Sequence, residues 1–317
     1  MKYLIAVVGA ATGQGQRILQ ALADQGVPSE RVMALDYGKY ENMQVPYGRR
    51  NIRIRNMMTA DLGRIRVVLL CLSSVLTAYV EDIIRAGAVV VDCTGIVAKG
   101  PCALITRNQA FIPNENPILN PTDLTVALAR VLGPIHQAFP VRSAEITALL
   151  SAGIFGEAAR QALQIQSQYI RKTDGEIGGP FRLKQAFNLI VEADPYLARQ
   201  TTEQIKGLFG FSAVVYTCLT PVFFGEAYAV TVTTREMCSA DQMRQVLAGA
   251  EGCRLLSDEP AEFPPTGEDC ADSDLVLLSR LRAVPFRDRT WHLWALCNSK
   301  RCGSADQAAR LALYLLS

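Results

Sequence analysis

Residues 3–26 read YLIAVVGAATGQGQRILQALADQG, and they indicate how the first part of the chain folds. Tyr3–Val8 is a short apolar run rich in β-branched residues, Gly9–Gly15 is a turn, and Gln16–Gly26 carries apolar residues at helical spacing. Between a strand and a helix, glycines let backbone N–H groups at the helix N-terminus approach a pyrophosphate closely. The stretch therefore predicts a strand, a tight turn and a helix of the nucleotide-binding type.

The same pattern recurs further along the chain. Arg31–Asp36, Val67–Cys71 and Ala88–Asp92 are continuous apolar runs that predict strands, and Val75–Ala86 predicts a helix closed by Gly87. Continuous apolar strands between helices are typical of a parallel sheet that is covered on both faces. We expect residues 1–122 to form a doubly wound, Rossmann-like α/β domain for a dinucleotide, joined by the C-terminal helical segment 303–317.

The second half has a different character, because strand-like runs follow one another without regular helices between them. Helices are predicted over Leu124–His136, Gly156–Arg171 and Pro195–Leu208. The predicted strands are Arg142–Leu150, Phe211–Cys218, Ala227–Arg235, Asp274–Leu281 and Thr290–Leu296. Residues 123–302 are therefore expected to form an α+β substrate and dimerisation domain with a mostly antiparallel sheet. Ser-Ala-Asp-Gln sequences starting at Ser239 and at Ser304 predict capping boxes at two helix starts.

Composition excludes several classes of protein. The 317 residues hold 32 Lys and Arg against 30 Asp and Glu, a balance that argues against an electrostatic nucleic-acid or membrane binder. The most apolar stretch, Val67 to Val80, is too short to cross a bilayer, and we expect a cytoplasmic protein. The nine cysteines show no metal-ligand spacing, so buried free thiols and no metal site are expected.

The candidate cofactor site centres on the glycine turn and on Asp36. Asp36 ends the second predicted strand, 21 residues after Gly15, where a carboxylate can accept hydrogen bonds from ribose hydroxyls and would repel a 2′-phosphate. NAD is therefore favoured over NADP. The candidate cofactor-binding residues are Gly9, Thr12, Gly13, Gln14, Gly15, Asp36, Ser73 and Thr94. The alternative is a turn kept only for strand–helix packing, because its glycine spacing is not the usual one.

Blocks along nearly the whole chain together resemble aspartate-semialdehyde dehydrogenases. In order, the counterparts of the family's motifs are Gly9–Gly15, Tyr37-Gly38-Lys39, Val90–Gly95, Ile112–Pro117, Asn120–Thr125, Gln185–Asn188, Pro221–Glu226 and Asn298–Gly303. The resemblance implies a dinucleotide fold and a homodimer formed through the second domain. It also implies chemistry in which a Cys thiolate adds to an aldehyde, a His acts as the base, a nicotinamide takes the hydride and phosphate attacks the acyl-enzyme.

The chain departs from this family at the reacting groups. Asp123 stands at the Cys position and Glu226 at the His position, while the family's orienting Gln falls near Leu149. The chain thus resembles the catalytically incomplete, Usg-type members, and we expect a NAD-binding dimer with a non-catalytic or moonlighting role. Cys93 and Cys218 lie nearest in sequence to family blocks, but buried thiols at strand ends are favoured over substitute nucleophiles.

Asp123 and Glu226 are candidate catalytic residues if the fold matches, because they would then face each other in one cleft. Two carboxylates in one pocket raise at least one pKa. One hypothesis is an oxidoreductase of different chemistry that uses the pair as general acid and base on a neutral or cationic substrate. The other hypothesis is a relict pocket whose carboxylates are solvated or paired with cations. The candidate cations are Arg142, Arg182, Lys184 and Lys206.

Overall fold

The computed structural model describes residues 4–72, 74, 77–106, 110–168, 183–257 and 265–317. In chain order the strands are β1 (Ile5–Val8), β2 (Val32–Asp36), β3 (Gln44–Tyr47), β4 (Arg50–Arg53), β5 (Arg55–Asn56), β6 (Val67–Leu70), β7 (Val89–Asp92), β8 (Leu104–Ile105), β9 (Ala110–Phe111), β10 (Ile118–Leu119), β11 (Val141–Leu150), β12 (Ile190–Val191), β13 (Ser212–Leu219), β14 (Glu226–Thr234), β15 (Cys253–Leu255), β16 (Val276–Ala283) and β17 (Thr290–Cys297). The helices are α1 (Gly13–Asp24), α2 (Thr77–Arg85), α3 (Asp123–Ala138), α4 (Glu157–Gln168), α5 (Pro195–Phe209), α6 (Ala240–Ala248), α7 (Gly267–Ala271), α8 (Ser299–Cys302) and α9 (Ser304–Tyr314).

The chain divides into two compact units. The first consists of Met1–Pro121 together with Ser304–Ser317, and the second is Thr122–Gly303. Each unit has a sheet and a hydrophobic core of its own.

The first unit contains a six-stranded sheet in the order β10-β7-β6-β1-β2-β5. All neighbouring strands in it run parallel. β1, β2 and β6 are buried along their whole length, as continuous apolar strands require when both faces of a sheet are covered. The predicted doubly wound parallel sheet is therefore confirmed.

Helix α9 packs on this sheet and on α1, so the end of the chain closes the first unit. Its buried Ala308, Ala309 and Ala312 lie in the same apolar cluster as Ile18 and Leu22 of α1. The capping box predicted at Ser304 is wrong, because the Gln307 side chain instead bonds to both backbone groups of Ile105, at 3.0 and 2.8 Å. The other box, Ser239 with Gln242, is confirmed at the start of α6.

The second unit contains a seven-stranded mixed sheet in the order β12-β13-β11-β14-β17-β16-β15. Four of its six pairings are antiparallel, and β11–β13 and β15–β16 are parallel. The prediction of a mostly antiparallel sheet is confirmed. Residues of α3, α5 and α6 share one apolar cluster with the strands, so these helices cover one face of the sheet.

Element ends differ from the predictions by up to three residues, as at the start of α1, and two of the differences bear on the site. Helix α3 begins at Asp123 rather than at Leu124, and β14 begins at Glu226 rather than at Ala227. Both candidate acidic residues are thus the first residue of a regular element.

The first two residues of the helix predicted over Val75–Ala86 lie outside the described residues, as does the end of the helix predicted over Gly156–Arg171. In the described part of the chain, no helix has the length and apolarity needed to cross a membrane.

Candidate functional site

The turn after β1 is built around Thr12, which is the N-cap of α1. Its hydroxyl accepts a hydrogen bond from the Gly15 N–H at 3.0 Å and donates to the Gly9 carbonyl at 2.7 Å. Gly9 has φ +90°, a left-handed conformation that a side chain would strain. Thr12, predicted as a cofactor ligand, therefore shapes the turn from within.

Gly15 is tightly enclosed by the chain, whereas Gly13 has open space beside its Cα. A Cβ on Gly15 would lie 2.2 Å from the Gly9 carbonyl oxygen, so only glycine lets α1 approach β1 this closely. A Cβ on Gly13 would meet no heavy atom of the described chain within 4 Å. Gly15 therefore serves strand–helix packing, whereas Gly13 leaves open space at the helix N-terminus.

Most backbone N–H groups of the turn have partners inside the chain. Those of Gly9 and Ala10 donate to Leu35, that of Thr12 donates to Gly9, and that of Gln16 donates to Thr12. Over the described residues, the N–H groups of Gly13 and Gln14 have no acceptor. These are the first two helical positions, where an anion is stabilised by the free N–H groups and by the helix dipole. The residues present thus fit a pyrophosphate.

Asp36 lies beside the turn at the end of β2, but its carboxylate is only 1% exposed. One carboxylate oxygen accepts the Ala11 N–H at 2.9 Å and the other accepts the Tyr37 N–H at 2.8 Å. The side chain therefore anchors the glycine turn to the end of β2. A ribose hydroxyl would have to share or replace these bonds.

Gln14 and Thr94, two further predicted cofactor residues, make hydrogen bonds within the first unit. The Gln14 side chain donates to the Ser304 hydroxyl at 3.1 Å and accepts from Arg17, which ties α1 to α9. The Thr94 hydroxyl donates to the Asp92 carboxylate at 2.6 Å and helps to hold the loop after β7. That bond uses the only hydroxyl proton of Thr94, and its oxygen accepts the Ile96 N–H at 3.2 Å, so the hydroxyl serves the loop in both roles. Ser73 lies outside the described residues.

In the second unit, Asp123 is the first residue of α3, directly after the N-cap Thr122. Its carboxylate lies against Gly303, where a Cβ would come within 2.4 Å of Asp123 Oδ1. The Lys300 ammonium is 3.9 Å from Asp123 Oδ2 and donates to the Ile154 carbonyl at 3.1 Å. Asp123 thus meets a cation and a helix N-terminus, which both stabilise its charged form.

Glu226 is 2% exposed and joins two segments of the second unit. One carboxylate oxygen accepts the Ser151 hydroxyl at 2.6 Å, and the other accepts the Ser299 N–H at 2.9 Å. Burial raises the pKa of Glu226, the hydrogen bonds from Ser151 and Ser299 oppose that rise, and the charge of Asp123 adds to it. The predicted rise in one pKa of the pair is present, and burial is its main cause.

Among the described residues, Lys300 lies beside Asp123, and sequence reasoning did not name it. The cations named from the sequence were Arg142, Arg182, Lys184 and Lys206. Arg182 lies outside the described residues. Lys300 belongs to the Asn298–Gly303 block that the resemblance singled out, so a signal for it was present in the sequence. Ser151 was missed because it follows β11 without any motif around it.

Two buried thiols, Cys297 and Cys302, lie beside these carboxylates. The hydrogen bond between them lowers the pKa of Cys302 and raises that of Cys297. Both sulfurs are covered, with exposures of 0% and 1%. Cys93 directly follows β7 and shares a hydrogen bond with the free thiol of Cys71. This hydrogen bond and burial raise the pKa of Cys93 well above its usual range. A protonated thiol is a poor nucleophile, which favours the interpretation of Cys93 as a buried strand-end residue.

Among the described residues, no three His, Cys, Asp or Glu side chains are arranged to hold a metal ion.

Comparison with known proteins places these two units in a family. Residues 132–299 match the family described as semialdehyde dehydrogenase, dimerisation domain. The chain belongs to the aspartate-semialdehyde dehydrogenase family. It is similar to aspartate-semialdehyde dehydrogenase 2 of Vibrio cholerae, at 26% identity over 99% of this chain and 98% of that protein. It is also similar to the USG-1 protein homolog of Azotobacter vinelandii, at 25% identity over 98% of this chain and 97% of that protein.

Solved structures of family members share the fold along the whole chain. A probable aspartate-semialdehyde dehydrogenase from Pseudomonas aeruginosa superposes with a TM-score of 0.86 at 21% identity, covering 100% of this chain and 99% of that one. The Candida albicans enzyme, solved with NADP, gives a TM-score of 0.70 at 13% identity, covering 100% of this chain and 98% of that one. At these identities the likeness establishes the fold.

Proposed function

We propose that this member of the aspartate-semialdehyde dehydrogenase family is a dinucleotide-binding homodimer that does not catalyse the phosphate-dependent oxidation of aspartate semialdehyde. The observation that carries the proposal is the ion pair of Asp123 with Lys300. The resemblance assigns the family's nucleophile to position 123. Without this activity, the protein would have a non-catalytic or moonlighting role.

The chemistry of the two carboxyl groups supports the absence of this activity. A carboxylate is a weak nucleophile toward an aldehyde, whereas the family reaction needs a thiolate that forms an acyl-enzyme. Burial raises the pKa of Glu226, and both of its carboxyl oxygens already accept hydrogen bonds from Ser151 and Ser299, so it does not replace the accessible imidazole base of the family. The carboxylate charge of Asp123 also opposes the approach of an anionic phosphate.

Dinucleotide binding is supported by the open N-terminus of α1, with its N–H groups of Gly13 and Gln14 and the space beside Gly13. When bound, a nicotinamide dinucleotide supplies a hydride acceptor. We propose NAD rather than NADP, because Asp36 places a buried negative charge at the end of β2, where a 2′-phosphate would add about two more. NADP should therefore bind at least about tenfold more weakly.

Calorimetric titration of the whole protein with NAD and with NADP tests this part of the proposal. At 100 times its dissociation constant, a ligand adds about 2.7 kcal/mol of stability, so thermal unfolding gives an independent readout. Tighter binding of NADP would overturn the assignment of selectivity to Asp36. If neither ligand binds, the turn serves packing alone and dinucleotide binding is wrong.

The homodimer and the compartment are supported by separate features. The family match covers the dimerisation domain, and β13 exposes Val214 and Tyr216 with exposures of 46% and 54%. All nine cysteines are free thiols in the structure, which fits a reducing compartment and supports a cytoplasmic location.

A second candidate function is favoured by the different environments of the two acidic residues. Asp123 lies beside the Lys300 ammonium at the N-terminus of α3, whereas burial raises the pKa of Glu226. Such a division is what a general base and a general acid require. This candidate is an oxidoreductase of different chemistry on a neutral or cationic substrate. Its test is nicotinamide-linked turnover that is lost in both Asp123→Asn and Glu226→Gln.

A further inference from the structure

Cys71 and Cys93 lie side by side at the carboxyl ends of β6 and β7. The register of these parallel strands pairs Leu70 with Asp92, and each cysteine is the residue that follows this pair. The pairing continues through them, because the Cys93 N–H donates to the Leu70 carbonyl at 2.9 Å. Neighbouring strands are about 4.8 Å apart, which falls within the separation of about 4.4–6.8 Å between the Cα atoms of disulfide-bonded cysteines. The backbone therefore already has the spacing that a disulfide needs.

The two thiols also lie on the same face of the sheet. Each sulfur turns back toward the carbonyl group two residues earlier, with Cys71 Sγ 3.7 Å from the Leu69 oxygen and Cys93 Sγ 3.7 Å from the Val91 oxygen. Both side chains pack with Leu69 and Val91 in the apolar cluster of the first unit. The hydrogen bond between the two sulfurs fits this arrangement. A bond between them would require no change of strand pairing.

Access from solvent distinguishes this pair from the neighbouring thiols of the second unit. Cys93 is half-buried and Cys71 is 7% exposed. Cys297 and Cys302 also share a hydrogen bond, but both are covered. A small oxidant dissolved in water can thus reach the pair in the first unit more readily than the pair in the second.

The pair in the first unit borders the glycine turn. The Cys71 N–H donates to the Val8 carbonyl at 2.8 Å, and a Cβ on Gly9 would lie 3.0 Å from the Cys71 carbonyl carbon. Cys93 is followed by Thr94, which helps to hold the loop after β7. A covalent link between the sulfurs would therefore join the segments that leave β6 and β7 directly beside the turn.

We propose that Cys71 and Cys93 form a reversible redox site, at which a hydroperoxide oxidises the two thiols to an intramolecular disulfide. With hydrogen peroxide, one oxygen atom is transferred to the Cys71 sulfur as a sulfenic acid and the other leaves as water. The Cys93 sulfur then attacks the Cys71 sulfur, and the hydroxyl group departs with the Cys93 proton as a second water. In total, two thiols lose two hydrogen atoms and one peroxide is reduced to two waters. A dithiol reductant restores both thiols by thiol–disulfide exchange.

The order of the two steps follows from the protonation of the pair. Burial and the hydrogen bond to Cys71 raise the pKa of Cys93, so Cys93 is the poorer nucleophile toward peroxide and takes the second step. In a reducing compartment the free thiols are the resting form. A disulfide that forms there is usually transient and acts in redox sensing or catalysis.

Peptide mapping of the whole protein tests the inference. The reduced protein is treated with hydrogen peroxide, its remaining thiols are alkylated after unfolding, and it is digested without a reductant. Mass spectrometry should show the Cys71 and Cys93 peptides joined with the loss of two hydrogen atoms, and both positions should lose their alkyl label. Cys297 and Cys302 should keep their labels. Dithiothreitol should restore the labels at Cys71 and Cys93.

Single substitutions identify the residues that form the link. Cys71→Ser and Cys93→Ser should each abolish the joined peptide. Cys218→Ser is the matched control and should keep it, because Cys218 is a half-buried free thiol on β13 of the second unit. Labels that persist at Cys71 and Cys93 in the peroxide-treated natural chain would overturn the inference. So would a disulfide that links two copies of the chain, seen on a gel without reductant, or a Cys297–Cys302 link that forms equally fast.

Discussion

The Lys300 ammonium lies 3.9 Å from the Asp123 carboxylate, at the position where the resemblance places the family's nucleophile. The Glu226 carboxyl group holds the segments on both sides of this pair. It accepts hydrogen bonds from Ser151, three residues before Ile154, and from Ser299, the residue before Lys300. Lys300 in turn donates to the Ile154 carbonyl. At the positions that the resemblance assigns to the family's nucleophile and base, the chain thus has an ion pair and a buried carboxyl group that bonds to the segments on both sides of it.

Removing the cation should destabilise the second unit. We expect Lys300→Ala to lower the free energy of unfolding by about 1–3 kcal/mol, because the largely covered Asp123 carboxylate loses the ammonium group beside it and the Ile154 carbonyl loses a donor. Urea denaturation measures this change. Arg301→Ala is the control, since Arg301 pairs with the exposed Asp272 and Asp274. It should change stability by less than about 0.5 kcal/mol, and an equal loss in both variants would contradict the assigned role.

Glu226 should make stability depend on pH in a specific direction. Its pKa is raised in the folded chain, so between the unfolded and folded pKa values the folded state holds more protons than the unfolded state. Its contribution to stability is fully present below the unfolded pKa and is lost as the pH rises through the folded pKa.

Glu226→Gln isolates this effect, because the Gln oxygen can accept from the Ser299 N–H, its N–H₂ group can donate to the Ser151 hydroxyl, and the side chain does not titrate. The difference in unfolding free energy between the natural chain and this variant should fall from pH 4 upward and then level off. Denaturant titrations at several pH values measure it. A difference that grows with pH would show that folded Glu226 is ionised and stabilised as the anion.

The fold could be predicted from the sequence because its strongest signals are local. The buried β1 and β6 read directly as continuous apolar runs, and the Ser239 box marked the start of α6. The Ser304 box failed because Ile105, about 200 residues away in sequence, competes for the Gln307 side chain. Local patterns do not report such distant partners.

The candidate residues could be named from the sequence, but their hydrogen bonds and ion pairs could not. The resemblance singled out Asp123 and Glu226, and the strand–turn–helix pattern singled out the glycine turn. The anchoring of the turn by Asp36 and the pairing of Asp123 with Lys300 depend on tertiary contacts across 25 and 177 residues of sequence. Spacing alone cannot rank one lysine above another as the partner of a carboxylate.

The two glycines of the turn should separate packing from binding. Gly15→Ala should destabilise the first unit by about 1–3 kcal/mol, because its Cβ would clash with the Gly9 carbonyl. Gly13→Ala should leave stability unchanged or slightly raised, since Ala is favoured over Gly in a helix. It should weaken dinucleotide binding by at least about tenfold, because the methyl group fills the space for the pyrophosphate. Thermal unfolding and calorimetry measure both variants, and unchanged binding in Gly13→Ala would contradict the placement of the ligand.

A charge on the outer face of β13 should disrupt the dimer. Tyr216 is 54% exposed there, and Tyr216→Asp should shift the mass measured by light scattering at micromolar concentration from dimer to monomer. Phe286→Asp, at an exposed loop position outside the strands, is the control and should remain dimeric. A monomeric natural chain at the same concentration would contradict the dimer.

With carboxyl groups at the positions that the resemblance assigns to the nucleophile and the base, this protein should not catalyse phosphate-dependent semialdehyde oxidation. The direct test is the rate of nicotinamide reduction at 340 nm with the purified whole protein, aspartate semialdehyde, phosphate, and NAD or NADP in separate reactions. We expect no rate above that of the reaction without protein. A rate that is proportional to protein concentration, requires phosphate and falls in Asp123→Asn would contradict the account.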